Sequence, residues 1–373
     1  MSNLYARLKA VSAQTKEAAE REREMPVCRK PCAVIRREFP LDGFFSLTDD
    51  DISKLCELEG VKPVKASDLI FLDTETTGLG RGAGTVAFLI GIGWIENGLF
   101  ICEQYWMRNY DEEEDLLIKI NELLAGEKRK VAVSFNGKSF DIPLLEGRCV
   151  MNRMRLAPFG SLDLLTHARR VYKLRLKSVR LSHLEERILG EVRHDDIPGA
   201  EVPQRYFDFL KTGNRELLDA VFEHNATDVF SMSKILHVLA RAYDEPQKLH
   251  HGEDIFSVGR AYERCGDNLS AESCYALSRV SYKIPSVERL SMMYKRSGRM
   301  DEAVAGFCEI SADSVSANIE LAKFYEHKAK DFAAALDCTD KAIALTDSDL
   351  LLEDLLKRRR RLIYKINKIT NEV

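Results

Sequence analysis

Two apolar runs, TVAFLIGIGWI (85–95) and LFICEQYWM (99–107), are separated by the three residues ENG. An Asn-Gly step between β-rich runs supplies the left-handed residues that a tight hairpin turn needs. The pair therefore commits the chain to a sheet with antiparallel neighbours. Another short apolar run, DLIFLD (68–73), precedes it, and KVAVSF (130–135) follows it. Between them, YDEEEDLLIKINELLA (110–125) opens on acids and spaces its apolar residues as a helix does. FDIPLLEGRCV then opens a second helix with a proline near its start. From about 162 to 243 the apolar spacing is mostly helical. The order β-β-β-α-β-α, then helix, predicts an α/β fold in which helices flank a mixed sheet.

The chain has 373 residues, enough for two domains. Its apolar content of 45% and charged content of 31% are globular values. A net charge of −4 gives no bulk signal for nucleic acid, so any such binding has to come from local patches. The first residues lack the apolar core and cleavage pattern of a signal peptide. No apolar run reaches the roughly 18 residues that span a bilayer. Nine cysteines, an odd number over a long chain, are expected as free thiols in a reducing cytoplasm. Cys28 and Cys32 (CRKPC) form half a zinc site at most, since no second pair follows at finger-like spacing.

Three segments are expected. Residues 1–65 form an N-terminal helical or irregular extension: 1–25 read as a surface helix, and Pro26, Pro31, Pro40 and Pro63 break any long element after it. Residues 66–243 carry the sheet, and 250–373 are all-α. In this last segment Tyr262, Tyr294 and Tyr325 lie 32 and 31 residues apart, and Ala271, Ala303 and Ala334 follow them at nine. Tyr275 and Phe307 sit four beyond the first two alanines, with Cys338 in the third register. Small residues let helices approach, and aromatics fill the space between turns. This spacing resembles the tetratricopeptide repeat, a stacked helix pair of about 34 residues. The glycine position holds Gly259, then Ser291 and Ala322, and the trailing proline is missing. A plain helical bundle is the alternative.

FLDTETTGLG (71–80) ends a strand on two acids. Residues i and i+2 of a strand share a face, so Asp73 and Glu75 project side by side. Alone, such a pair is usually just solvated. Asp141, in VSFNGKSFDIPLL (133–145), follows a strand and a glycine turn at a helix start, where acids are also common caps. His224 and Asp228, in EHNATDVFSMSKIL (223–236), share one helix face, and a surface pair would look the same.

Taken in order, these motifs resemble the DEDD family of 3′–5′ exonucleases on the ribonuclease-H-like fold. Asp73 and Glu75 match its first motif, Asp141 its second and Asp228 its third. The second, Asn-Gly-x-x-Phe-Asp-x-Pro, looks most like the proofreading domain of family-B DNA polymerases. The appended repeats are similar to a group of bacterial ribonuclease-H-like proteins. The third motif departs from the family: a histidine stands four residues before the last aspartate, where relatives carry tyrosine, or histidine at five. The resemblance implies two Mg²⁺ or Mn²⁺ ions held by Asp73, Glu75, Asp141 and Asp228, with His224 as general base. Hard cations take carboxylate oxygens, and a metal pair suits attack on an anionic phosphodiester. Asn136 and Thr76 are implied substrate contacts, with turn chemistry as the alternative for both. Asp163 (SLDLL) reads as a helix cap first. His194, Asp195 and Asp196 read as a polar turn before a second metal cluster.

RRVYKLRLKSVR (169–180) holds six basic residues and no acid. Arg169, Arg170 and Lys173 are candidate phosphate contacts and Tyr172 a candidate base-stacking ring. A solvated helix face is the alternative, as it is for KRRRR (357–361). The expected substrate is the 3′ end of a single strand of DNA or RNA, and no membrane is implicated. Two competitors remain: a catalytically weak nucleic-acid-binding scaffold whose repeats dock a protein partner, and an endonuclease sharing the same ligands.

Overall fold

The structure, a computed structural model, describes residues 30–41, 49–60, 64–126 except 79, 81 and 83, and 131–371 except 195. Cys28, Asp195 and the expected surface helix over 1–25 lie outside the described residues.

Six strands form one sheet: β1 (Ala33–Pro40), β2 (Leu69–Thr76), β3 (Ala87–Glu96), β4 (Leu99–Trp106), β5 (Val131–Ser134) and β6 (Gly160–Asp163). Their order is β1-β4-β3-β2-β5-β6. The first four run antiparallel to their neighbours, whereas β2, β5 and β6 are mutually parallel. Asn97 and Gly98 turn the β3–β4 hairpin with φ of 51° and 77°, as the ENG step requires. The mixed, helix-flanked sheet expected from the sequence is therefore present.

The boundary at residue 66 needs correction, because the sheet starts earlier. β1 runs along β4 from Ala33↔Trp106 to Pro40↔Leu99. Its alternation is hard to see, since Arg36, Arg37 and Glu38 fill three consecutive positions of it. A charged edge strand ending on proline is how sheets blunt an exposed edge. β6 is only four residues long and was also not anticipated as a strand.

Helices α1 (Asp49–Glu59), α2 (Glu113–Ala125), α3 (Asp141–Met151), α4 (Leu164–Leu176), α5 (Leu181–Leu184), α6 (Val202–Thr212) and α7 (Asp219–Asp244) cover the sheet. Alternation along β2 sorts them into layers. Ile70 and Leu72 face α2, α3 and α6, through Leu116, Leu145 and Tyr206. Leu69 and Phe71 face α1, α4 and α7, through Ile52, Val171 and Val229. Each such side chain contributes about 1.5–3 kcal/mol on burial, so a one-residue slip of β2 is strongly disfavoured. That fixes which face Asp73 and Glu75 share.

Three antiparallel helix pairs and a last helix follow: α8 (Gly252–Cys265), α9 (Asn268–Ser278), α10 (Lys283–Arg296), α11 (Met300–Glu309), α12 (Val315–Phe324), α13 (Phe332–Leu345) and α14 (Asp349–Asn371). Ala271, Ala303, Tyr275 and Phe307 are buried between them, as their spacing anticipates. In the third pair Ala335 is fully buried and Ala334 only half-buried, after a π turn at Tyr325–Ala329. α8 packs on α4, and one apolar core runs from Phe71 of the sheet to Tyr275 and Met293. No described helix is long and apolar enough to cross a membrane. Among the described residues every cysteine is a free thiol, and Cys32 is buried beside Asp115 and Lys119.

Candidate active site

The carboxyl end of β2 delivers Asp73 and Glu75 to one face, under α7. Asn225 of α7 donates from Nδ2 to Asp73 Oδ2 at 2.8 Å. Gln104 of β4, fully buried, donates in turn to Asn225 Oδ1 at 2.9 Å and to Phe222 O at 2.8 Å. The helix can lie this close because Gly91 stands opposite Asp73 on β3. A Cβ there would come within 2.3 Å of Asn225 Oδ1 and 2.8 Å of Val229 Cγ2.

One turn of α7 brings His224 and Asp228 to the same rim. His224 Nε2 lies 3.9 Å from Glu75 Oε1 and 3.9 Å from Asp228 Oδ2. Its Nδ1 is 2.6 Å from Asp196 Oδ1. Arg193 bonds Asp228 Oδ1 at 2.5 Å, Asp196 Oδ2 at 3.0 Å and both oxygens of buried Glu185 at 2.6 Å. Arg193 and Asp196 of the expected polar turn thus join the site. Gln104, Asn225 and Arg193 were not anticipated.

Asp141 arrives from the other face of the sheet, at the start of α3. Thr74 Oγ1 donates to its Oδ1 at 2.5 Å. The chain reaches it through a tight turn at Asn136 (φ 74°) and Gly137, where a Cβ would strike Ser134 Oγ at 2.3 Å. Asp163 caps α4 through Leu165 N at 3.0 Å, as its sequence setting implied, and also accepts from Asn136 N at 2.8 Å.

Four carboxylates with little solvent repel one another. Burial, then Asp228, Glu75 and Asp141, raise the Asp73 carboxyl well above its usual range. Burial pushes Glu75 up to about 8 against the pull of His224, with Asp228 and Asp141 adding to the rise. Asp141 is pushed up to about 6 by burial, partly offset by the Thr74 hydroxyl. Asp228 is raised by burial despite Arg193 and His224. Burial would lower His224, but Asp228, Glu75 and Asp196 outweigh it and raise its pKa. The four acids, drawn from β2, α3 and α7, therefore share one electrostatic site.

The chemistry of this donor set, all carboxylate oxygens with unbalanced charge, fits a hard divalent cation. Among the described residues no three His, Cys, Asp or Glu side chains are already drawn around one point. Asp228 is turned onto Arg193, which stands as its cationic partner.

A model of the RNase_H superfamily, RNase_H_2, matches residues 70–240, the span that carries all of these groups. YprB of Bacillus subtilis (strain 168) is 30% identical over 335 residues, 84% of this chain and 80% of YprB. The chain belongs to the RNase_H superfamily. The family B DNA polymerase from the hyperthermophilic archaeon Pyrobaculum calidifontis is similar with a TM-score of 0.37 and 14% identity, over 62% of this chain. The chain spans 29% of that polymerase chain.

In this superfamily member the other candidate residues divide. Asn136, Arg169 and Lys173 line one cleft beside the Asp141 turn. Arg170 does not join them: it is half-buried, donates to Leu58 O at 3.1 Å and lies 3.8 Å from Glu59. Thr76 is buried and donates to Gly78 O at 2.7 Å, so its hydroxyl serves the turn. Tyr172 is 2% exposed, packed in the core, and offers no face to a base. The KRRRR run is largely neutralised within the chain. Arg361 and Lys365 bind fully buried Glu326 at 2.9 and 2.8 Å, with Arg358 at 3.6 Å, and Arg359 binds Asp340.

Proposed function

We propose that the chain is a DEDD-type exonuclease that hydrolyses phosphodiester bonds from the 3′ end of single-stranded nucleic acid, using Mg²⁺ or Mn²⁺. The observation that carries this reading is the convergence of Asp73, Glu75, Asp141 and Asp228 at the carboxyl end of β2, each raised in pKa by burial. These four would hold the ions. When bound, such ions polarise the phosphate, activate water and stabilise the leaving oxygen.

The remaining steps belong to the chain's own residues. With its proton on Nδ1 and donated to Asp196, His224 presents the Nε2 lone pair beside Glu75 and Asp228. There it accepts the proton of the attacking water. Its pKa, raised here by uncompensated acids, falls once those charges are neutralised. The histidine spacing of four keeps His224 and Asp228 on one face because α7 is regular through this turn. Asn225, held by Gln104, fixes which Asp73 oxygen faces the site. The helix pairs of residues 252–345 fit a tetratricopeptide-like arrangement in part: Tyr262, Ala271 and Ala303 are buried, whereas Tyr294, Tyr325 and Ala334 are half-buried.

The test uses linear and circular single strands of one sequence, with Mg²⁺, Mn²⁺ or EDTA. Mononucleotides are expected from the linear form, in metal only, with the circle intact. Linearisation of the circle would replace the exonuclease reading with an endonuclease.

A further inference from the structure

The cleft beside the Asn136–Gly137 turn is built for a chain of anions. Its rim carries Arg169 and Lys173 of α4 and, beyond the helix end, Lys177 and Arg180. All four are exposed. Among the described residues none of them has an acidic partner within ion-pair distance; Lys177 Nζ donates only to Leu174 O, at 2.7 Å. This contrasts with the rest of the basic run: Arg170 is held at Glu59 and Arg175 by buried Asp254. Four unneutralised cations along one edge are unusual in a chain of net charge −4.

The floor of the cleft is apolar, formed by Phe135, Leu165, Val179 and Leu181. Its volume is about 470 Å³. Arg169 and Lys173 stand one helical turn apart, a rise of about 6 Å. Two of the five non-glycine residues with left-handed φ among the described residues line this same cleft: Asn136 at 74° and Lys177 at 64°. Backbone held in such regions tends to mark functional sites. One end of the cleft meets the carboxylates, since Asn136 N is held by Asp163 and the next residue, Gly137, packs on Asp141.

We infer that this cleft is the track of a single-stranded nucleic acid, with phosphates on Arg169, Lys173, Lys177 and Arg180, bases over Phe135, and the 3′ end at Asp141. The assignment rests on the nuclease reading for its direction. A cationic rim beside an aromatic ring, here Phe135 in an apolar floor, is a general way that unpaired strands are held without sequence preference. A duplex hides its bases and has no use for the apolar floor. A small anion has no use for four cations in a row.

The test measures fluorescence anisotropy of a labelled mixed-sequence single strand in EDTA, in an Asp73→Asn background, so that nothing is cleaved. Arg169→Ala/Lys173→Ala is expected to weaken binding at least tenfold. It should also reduce the slope of log affinity against log salt by about 0.7 per charge removed. Phe135→Leu, which keeps apolar volume, should weaken binding and leave the salt slope unchanged. Arg360→Ala, in the C-terminal basic run, should change neither. Equal affinity and slope for the double variant would overturn the track. A duplex binding as tightly as the strand would overturn the single-strand assignment, and polyglutamate competing equally would overturn nucleic acid as the occupant. Hydrolysis surviving Asp73→Asn would break the nuclease reading alone, because binding is read without it.

Discussion

Glu75 illustrates what the site costs when it lacks a counter-charge. Its carboxyl moves from an ordinary 4.5 to about 8, chiefly through burial, with His224 opposing and Asp228 and Asp141 reinforcing the rise. The folded state therefore holds the proton more tightly than the unfolded chain. The stability this contributes is present below about pH 4.5 and is lost as pH rises through about 8. In EDTA, Glu75→Gln is expected to raise Tm increasingly from pH 5 to pH 8 relative to the parent. Parallel Tm curves would mean that the acids are solvated and independent. The residues carrying charge were legible: acids two apart on a strand, or four from a histidine on a helix, have a fixed face. Their partners were not, because nothing local assigns Asn225 to Asp73 or Asp196 to His224. One available signal was the paired Gly91 and Gly93 inside an apolar strand, which marks a close approach of another element.

At the scale of elements, α7 is the part that assembles the site. One of its faces delivers His224 and Asp228, and the next packs Asn225 and Val229 onto Gly91. Gly91→Ala has no room at 2.3 Å from Asn225 Oδ1, so α7 must lift or Asn225 must turn away. Overpacking of this kind costs about 1–3 kcal/mol. The variant is expected to lose that stability in urea unfolding, and to lose kcat more than KM rises, since Asp73 loses its positioning partner. Unchanged kcat in a destabilised Gly91→Ala protein would show that Asn225 has no part in the chemistry. The central hairpin and α2 were legible because turn chemistry and period agree there. β1 and β6 were not: one carries three consecutive charges as an edge strand, and the other is four residues long.

Across the whole molecule, the sheet and the first helices of the C-terminal segment, α8 to α10, share one apolar core, and a buried ion pair stitches them. Arg175 of α4 binds Asp254 of α8 at 2.7 Å, and Asp254 is 1% exposed. Removing one partner leaves a buried charge unpaired, at a cost of about 3–5 kcal/mol. Arg175→Met should show that loss in denaturant unfolding, and Arg175→Met/Asp254→Leu should recover most of it. A loss under about 1 kcal/mol would mean that water already reaches Asp254. The helix-rich C-terminal part was legible from its apolar spacing, but the ion pairs that neutralise KRRRR were not, because Glu326 lies over 30 residues away in sequence.

The central claim is that acids from three elements form one hydrolytic centre. It is tested most directly by following a 5′-labelled single strand with Mn²⁺ through time, for the parent and for Asp73→Asn at matched Tm. A ladder shortening one nucleotide at a time from the 3′ end, present in the parent and absent in Asp73→Asn, is the expected result. An identical ladder from both proteins, or an intact strand with the parent, would contradict it.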